Sequence, residues 1–458
     1  MNVRVLRIEL KRSIAPWAGA VVVTSALAFL YLVNAAWWRG TTAWTAQWTS
    51  MALWTRALLA YLWPLAVGLG ALQGLRDHRS KVSELLTTTS RPAWHRAATL
   101  AGTTAITLAS AFALLVLVGA VQVLPTTEYT HLGWLPISLV GALSLVAGAV
   151  LGMGAGRALP SALTPPALAM GAFVFTILLR LSTESGVPTA SVVNRVSLLS
   201  PAVGRVRDVL LTLSAAVHLG QTIWLLGMAA TGFALLAAAT PRARLLALTP
   251  VLAGAAIALL VLPSDPRRTY VVDEAAAELV CDGPVCVTRT HQARLADLAG
   301  PGKEALRLLH DALGEQAPAS VRENSAVLPE GSTPQWSGKT VLFDFDDDIV
   351  AAAKGEELTW ALIAKGMVPG CSPVGWSSFG NDDIARTVAV GWALGDLRSL
   401  PRTGPALRHE VDAKARPVWT ELKALPRSEQ LSRINAMRAA ALSCKGDTFD
   451  ALNGGASR

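Results

Sequence analysis

The chain is 458 residues long, 52% hydrophobic and only 16% charged, with a formal net charge of +8. Those averages blend two solvents, because the long apolar stretches end near residue 264 and most of the acidic residues lie beyond it. The positive charge is not a nucleic-acid signal, since Lys and Arg never interleave with aromatics in a soluble stripe, and no nucleic-acid partner is expected.

Residues 1–14 alternate Val3, Leu6, Ile8 and Leu10 with Arg4, Arg7, Lys11 and Arg12, a pattern that predicts a short helix lying in a membrane interface. Residues 15–38 follow as a first span. Val33-Asn34-Ala35 has the look of a cleavage box, but the apolar stretch before it is about twice too long for a signal peptide, so a retained span is expected. Further spans are predicted at 52–72, 97–124, 132–155, 163–181, 219–239 and 245–262. The result is a six-span bundle over 15–239, a seventh span within 240–264, and a soluble domain over 265–458. The fold class is therefore a polytopic α-helical membrane protein with a C-terminal mixed α/β domain.

Basic residues set the orientation. Arg76, Arg79, Lys81, Arg91 and Arg96 fall between the second and third spans, and Arg157, Arg242 and Arg244 in later loops on that side. The opposite loops hold chiefly Arg39, Arg195, Arg205 and Arg207, so the N-terminus is expected in the cytoplasm and the C-terminal domain outside a bacterial plasma membrane. Trp37, Trp38, Trp44, Trp48 and Trp54 mark the outer interface. All four cysteines lie in the exported domain, where an even count favours disulfides; Cys281 with Cys286 and Cys371 with Cys444 is the preferred pairing.

Between the second and third spans, Val82, Leu85 and Leu86 form a small apolar face, Ser80 and Glu84 suit a helix start, and Arg91-Pro92 suits its end. The order Arg-Asp-x-Arg-Ser-x-x-x-Glu-Leu-Leu, closing on Arg-Pro-x-Trp, resembles the permease subunits of type-2 ABC exporters, over roughly residues 1–239. The resemblance implies a coupling helix that docks on a separate ATPase subunit, with Arg76, Asp77, Glu84, Leu85 and Leu86 as the docking surface and Arg91, Pro92 and Trp94 fixing its exit. It also implies pairing with a second permease copy or a paralogue. The usual subunit of that family has six spans with both ends in the cytoplasm, so a seventh span carrying an outer domain departs from it. Residues 184–216 correspond to the family's outer loop, where Val192, Val196 and Leu199 share a face with Val203.

No nucleotide site is expected on this chain. Gly300-Pro301-Gly302-Lys303-Glu304 lacks the length and the Ser or Thr of a Walker A loop and reads as a turn before a helix, so ATP and Mg²⁺ would sit on the partner. Gly148, Gly152 and Gly156, and likewise Gly70 and Gly74, repeat every four residues and predict close helix packing. Arg56 and Arg180 fall near outer span ends, where snorkelling is the simple reading.

In the C-terminal domain, strands are predicted at 269–272, 279–288 with a turn between Cys281 and Cys286, and 340–344. Helices are predicted at 295–313, 347–365, 382–397 and 413–442. Actinobacterial permeases of this class can end in a region similar to zinc metallopeptidases, but the HExxH pair is absent, and His291, His310 and His409 read as ordinary residues. The Asp344 to Asp348 cluster reads as a solvated helix N-terminus rather than a calcium loop, and no metal or catalytic residue is expected. The function expected is that of a non-catalytic exporter subunit moving a hydrophobic or amphipathic drug, lipid or peptide. The alternatives are a membrane-anchored sensor or immunity protein, or an exoplasmic hydrolase.

Overall fold

A computed structural model describes residues 15–33, 47–79, 92–127, 129–184, 195–202, 210–265, 268–326, 328, 332–373, 380–402 and 405–455. The chain divides into two compact units, Met1–Asp273 and Glu274–Arg458.

The first unit is helical: α1 (Ala15–Ala28, running into a π turn over Phe29–Val33), α2 (Trp48–Ala57), α3 (Leu59–Gly74), α4 (Arg76–Arg79), α5 (Ala93–Val123), α6 (Trp134–Ala158), α7 (Thr164–Glu184), α8 (Ala215–Ala237), α9 (Pro241–Leu246) and α10 (Thr249–Val261). Among the described residues five helices, counting 241–261 as one, are long and apolar enough to cross a membrane. The span expected at 52–72 is instead a pair, α2 and α3, bent by 49° at Leu58, and makes a sixth crossing if it is one span. The span expected at 163–181 has an apolar portion of only Thr164–Leu179.

Three hydroxyls inside these helices close on their own backbone. Ser144 Oγ donates to Val140 O, Thr107 Oγ1 to Thr103 O, and Thr176 Oγ1 to Ala172 O. A polar side chain is thereby satisfied without water, which an apolar surrounding requires. The outer surface stays apolar: Leu117, Val121, Leu139, Leu178, Leu252 and Leu260 are exposed, and α10 buries only Gly254 and Ala258.

One end of this unit is tied together by polar contacts. Strand β1 (Leu211–Leu213), just before α8, pairs antiparallel with β2 (Tyr270–Val272), just after α10. Thr49 at the start of α2 bonds His131 Nε2 before α6, and Tyr129 donates to Asp273. The starts of α2, α6 and α8 and the ends of α5 and α10 therefore meet there. At the other end Arg244 donates to Ala158 O at the close of α6. The strand expected at 269–272 exists, but it pairs within the first unit rather than opening the second domain.

The second unit holds a four-stranded sheet in the order β3 (Leu279–Asp282), β4 (Val285–Thr288), β5 (Ser320–Glu323), β6 (Thr340–Phe343). β3 and β4 form an antiparallel hairpin around Gly283 (φ 63°), whereas β4, β5 and β6 run parallel. Around them lie α11 (Glu274–Ala277), α12 (Leu295–Leu313), α13 (Asp348–Ala351), α14 (Glu356–Met367), α15 (Asn381–Leu394), α16 (Pro405–Ala424), α17 (Arg427–Ser443) and α18 (Thr448–Leu452). Leu298, Ala305 and Leu309 of α12 share a core with Val285, Val287, Val321, Val341 and Phe343 of the sheet. At helical and period-two spacing these are the faces that apolar burial selects.

Three sequence expectations change here. Residues 300–304 are not a turn: α12 runs straight through them, with Gly302 fitting against β4, where a Cβ would stand 2.7 Å from Val285 Cγ2. Residues 347–365 form two helices, broken at Gly355 (φ 57°), and 413–442 form α16 and α17, broken before Pro426. Strand β5 has no counterpart among the predicted strands, because its four residues, Ser-Val-Arg-Glu, carry little apolar signal.

Candidate functional site

The segment expected to dock an ATPase begins where α3 ends. The helix breaks at Leu75, and Arg76 opens the single-turn α4, whose backbone also carries Asp77. The side chain of Asp77, and all of Glu84, Leu85, Leu86 and Arg91, lie outside the described residues. The chain returns at Pro92, whose extended backbone (φ −53°, ψ 140°) precedes α5 and whose carbonyl accepts from His95 N. Trp94 is exposed, and its ring stacks on His95 with centroids 3.7 Å apart. The interfacial helix expected at 1–14 also falls outside the described residues, as do Val192, Val203 and the Arg180 side chain.

The glycine repeats lie where α3 and α6 pack, the most extensive contact of the first unit. A Cβ on Gly148 would stand 2.6 Å from Trp63 Nε1, on Gly152 2.1 Å from Val67 O, and on Gly156 2.4 Å from Ala71 O. Gly70 and Gly74 meet the carbonyls of Ala149 and Met153 at 2.1 Å in the same way. Backbone touches backbone along two turns, a fit that needs hydrogen in place of a methyl group on both faces. An apolar groove of about 320 Å³ opens beside the bend at Leu58, lined by Ser25, Ala26, Phe29, Tyr61, Leu62 and Leu65.

Arg56 does not snorkel. It is 0% exposed, and its Nη2 donates to Pro201 O at 3.0 Å and to Gln221 Oε1 at 2.8 Å. Sequence spacing held no sign of this, because the partners lie 145 and 165 residues away.

The second unit carries both disulfides of the preferred pairing. Cys281 and Cys286 face each other across the β3–β4 hairpin, and Cys371–Cys444 ties the loop after α14 to the end of α17. The acidic cluster is not simply solvated. Asp347 caps α13 by accepting from Ile349 N, and its other oxygen meets the buried Lys365. Burial pushes the Asp347 carboxyl up, but the Lys365 charge and hydrogen bond outweigh this and hold it below the usual carboxylate range. Buried Asp383 accepts from Arg386 at 3.0 Å and Arg402 at 2.9 Å. Arg438 donates to the carbonyls of Gln316, Gly338 and Gly366, binding the turn after α12, the approach to β6 and the last turn of α14 to α17.

His291 is more engaged than its sequence context indicates. Its Nδ1 bonds Glu323 Oε1 at 2.6 Å, while Glu323 Oε2 accepts from Thr288 N and Thr288 Oγ1. These residues sit at the carboxyl ends of β4 and β5, with His291 just beyond β4, the Phe345 ring edge-on to the imidazole and Arg294 stacked on Phe345 at 3.9 Å. The parallel arrangement creates the cluster, and no spacing motif announces it. His310 and His409 are exposed. Among the described residues no group of three or more His, Cys, Asp or Glu could hold a metal ion.

Comparison of the chain with protein-family models, with curated proteins and with solved structures returns no match.

Proposed function

We propose that this chain is the membrane-spanning subunit of an ABC exporter in a bacterial plasma membrane, and that ATP hydrolysis belongs to a separate chain. The observation that carries the reading is the short segment between α3 and α5, two apolar helices joined at the basic end of the unit by the Arg76–Trp94 sequence. Supporting it are the exposed apolar side chains of the helices, suited to lipid, and the basic residues Arg76, Arg157, Arg242 and Arg244 at or beyond the ends of the long apolar helices.

In this reading two copies, or one copy and a paralogue, enclose a pathway, and two ATPase subunits holding ATP and Mg²⁺ grip the segment around Glu84, Leu85 and Leu86. The cargo is hydrophobic or amphipathic, because the walls carry little fixed charge. The second unit, on the outer side, gates the exit or holds cargo. Two disulfides suit that oxidising side.

The test is purification of the tagged chain in mild detergent, with mass spectrometry of co-purifying proteins and an ATP hydrolysis assay. A cytosolic Walker-type ATPase that is lost on replacing Glu84→Ala and Leu85→Asp is the expected result. A preparation free of any ATPase would end the exporter reading.

A further inference from the structure

The first unit buries a charge that no group among the described residues neutralises. Arg56 lies in the last turn of α2, wholly enclosed. A guanidinium has five N–H donors. Nη2 uses both of its hydrogens on Pro201 O and Gln221 Oε1, while Nε and Nη1, which carry the other three, meet no acceptor. Both partners are neutral, and among the described residues no carboxylate is paired with Arg56.

The surroundings are built, not accidental. Gln221 turns its oxygen toward Arg56 because its Nε2 is held by Leu198 O at 2.9 Å and Ser200 O at 3.2 Å. Trp224, one turn along α8, donates to Leu199 O at 3.0 Å and fixes the same loop. Two more buried polar atoms lack partners there: Ser200 Oγ, and Nδ1 of His218, which lies one turn before Gln221 and within electrostatic reach of Arg56. A methionine would fill the Arg56 space with no charge to desolvate, so packing alone does not account for a guanidinium. The negative end of the α2 dipole offsets only part of the charge. Water could meet the free donors, but an anionic oxygen gains more from them, because it also brings an opposite charge to a guanidinium held in a water-poor site.

We propose that Arg56, with Ser200 and His218 beside it, binds the anionic headgroup, phosphate or carboxylate, of an amphiphile. Calling that amphiphile the cargo rests on the exporter reading, whereas the binding itself does not. The site is closed in this structure, and the 49° break immediately after Arg56 is where the bundle can open to admit a ligand.

The experiment is thermal unfolding of the purified full chain in a neutral detergent, titrated with dodecyl phosphate, dodecanoate, dodecanol or inorganic phosphate. Saturable stabilisation by the two anionic amphiphiles and none by dodecanol is expected, with apparent affinity at least tenfold weaker in Arg56→Gln and partly retained in Arg56→Lys. Equal shifts from dodecanol and dodecyl phosphate, or no shift from either, would overturn the proposal. A matching shift from inorganic phosphate alone would overturn the amphiphile as the ligand. If Arg56→Gln does not fold, the comparison of dodecyl phosphate with dodecanol on the unaltered chain still decides. ATPase recovery is read separately, so either result can fail without the other.

Discussion

The two units of this chain solve the same packing problem with opposite surfaces. In the first, the helices meet through glycines, backbone against backbone, and leave leucines and valines facing outward. In the second, the apolar residues turn inward onto a sheet, and the closure is completed by two disulfides and buried ion pairs. The difference is the one that two solvents would produce. In lipid, the solvent proposed for the first unit, apolar burial yields little, and close contact between small residues has to hold helices together. Where water is the solvent, burial drives the fold, and charges can be paired at the margins of the core.

The comparison can be broken at specific residues. Replacing Cys371 and Cys444 with Ser opens a cross-link spanning 73 residues and should cost the second unit about 4 kcal/mol. Denaturant unfolding should show that loss there and leave the helical signal of the first unit unchanged. Removing Cys281–Cys286, separated by 5 residues, should cost clearly less.

Asp383→Asn should come next, at about 3 kcal/mol, because it leaves Arg402 and Arg386 facing a neutral group inside the protein. Chemical denaturation of the second unit measures it, and a change below about 0.5 kcal/mol would mean that the pair is solvated in solution.

Gly152→Ala should cost the first unit about 1–3 kcal/mol, since α3 and α6 must move apart to admit the methyl group. Gly171→Ala, where nothing lies within 4 Å, is the control and should be neutral or slightly stabilising. Thermal unfolding in detergent separates the two, and equal effects would contradict glycine-mediated packing.

The smallest effect is a pH dependence. The folded-state pKa of Asp347 lies below its unfolded value of about 3.9. Its contribution is therefore complete above that value and lost as pH falls through the lower, folded-state pKa. Acid unfolding of Asp347→Asn should be flatter below about pH 4 than that of the unaltered chain.

Much of this architecture is legible in the sequence, for reasons that differ between units. The helices of the first are written in uninterrupted apolar runs, and α12 in the recurrence of Leu298, Ala305 and Leu309 on one face. The disulfide partners were accessible because four cysteines in one domain leave few pairings. What escaped was set by tertiary contact. Gly300-Pro301-Gly302 has the composition of a turn, but Gly302 is there to let a helix press on Val285. Arg56 has the position of a snorkelling residue, but Gln221 and Pro201 enclose it from distant parts of the chain. His291 has no motif, because Glu323 arrives on a strand too short and polar to be recognised.

The most direct measurement is the accessibility of one cysteine on each side of the proposed membrane. All four native cysteines are in disulfides, so an added thiol reports alone. Ser83→Cys lies in the proposed docking segment, and Lys354→Cys on the exposed surface between α13 and α14. In intact cells a membrane-impermeant maleimide should label Lys354→Cys at once and Ser83→Cys only after permeabilisation. Labelling of both from the same side would contradict an outward second unit served by an ATPase within.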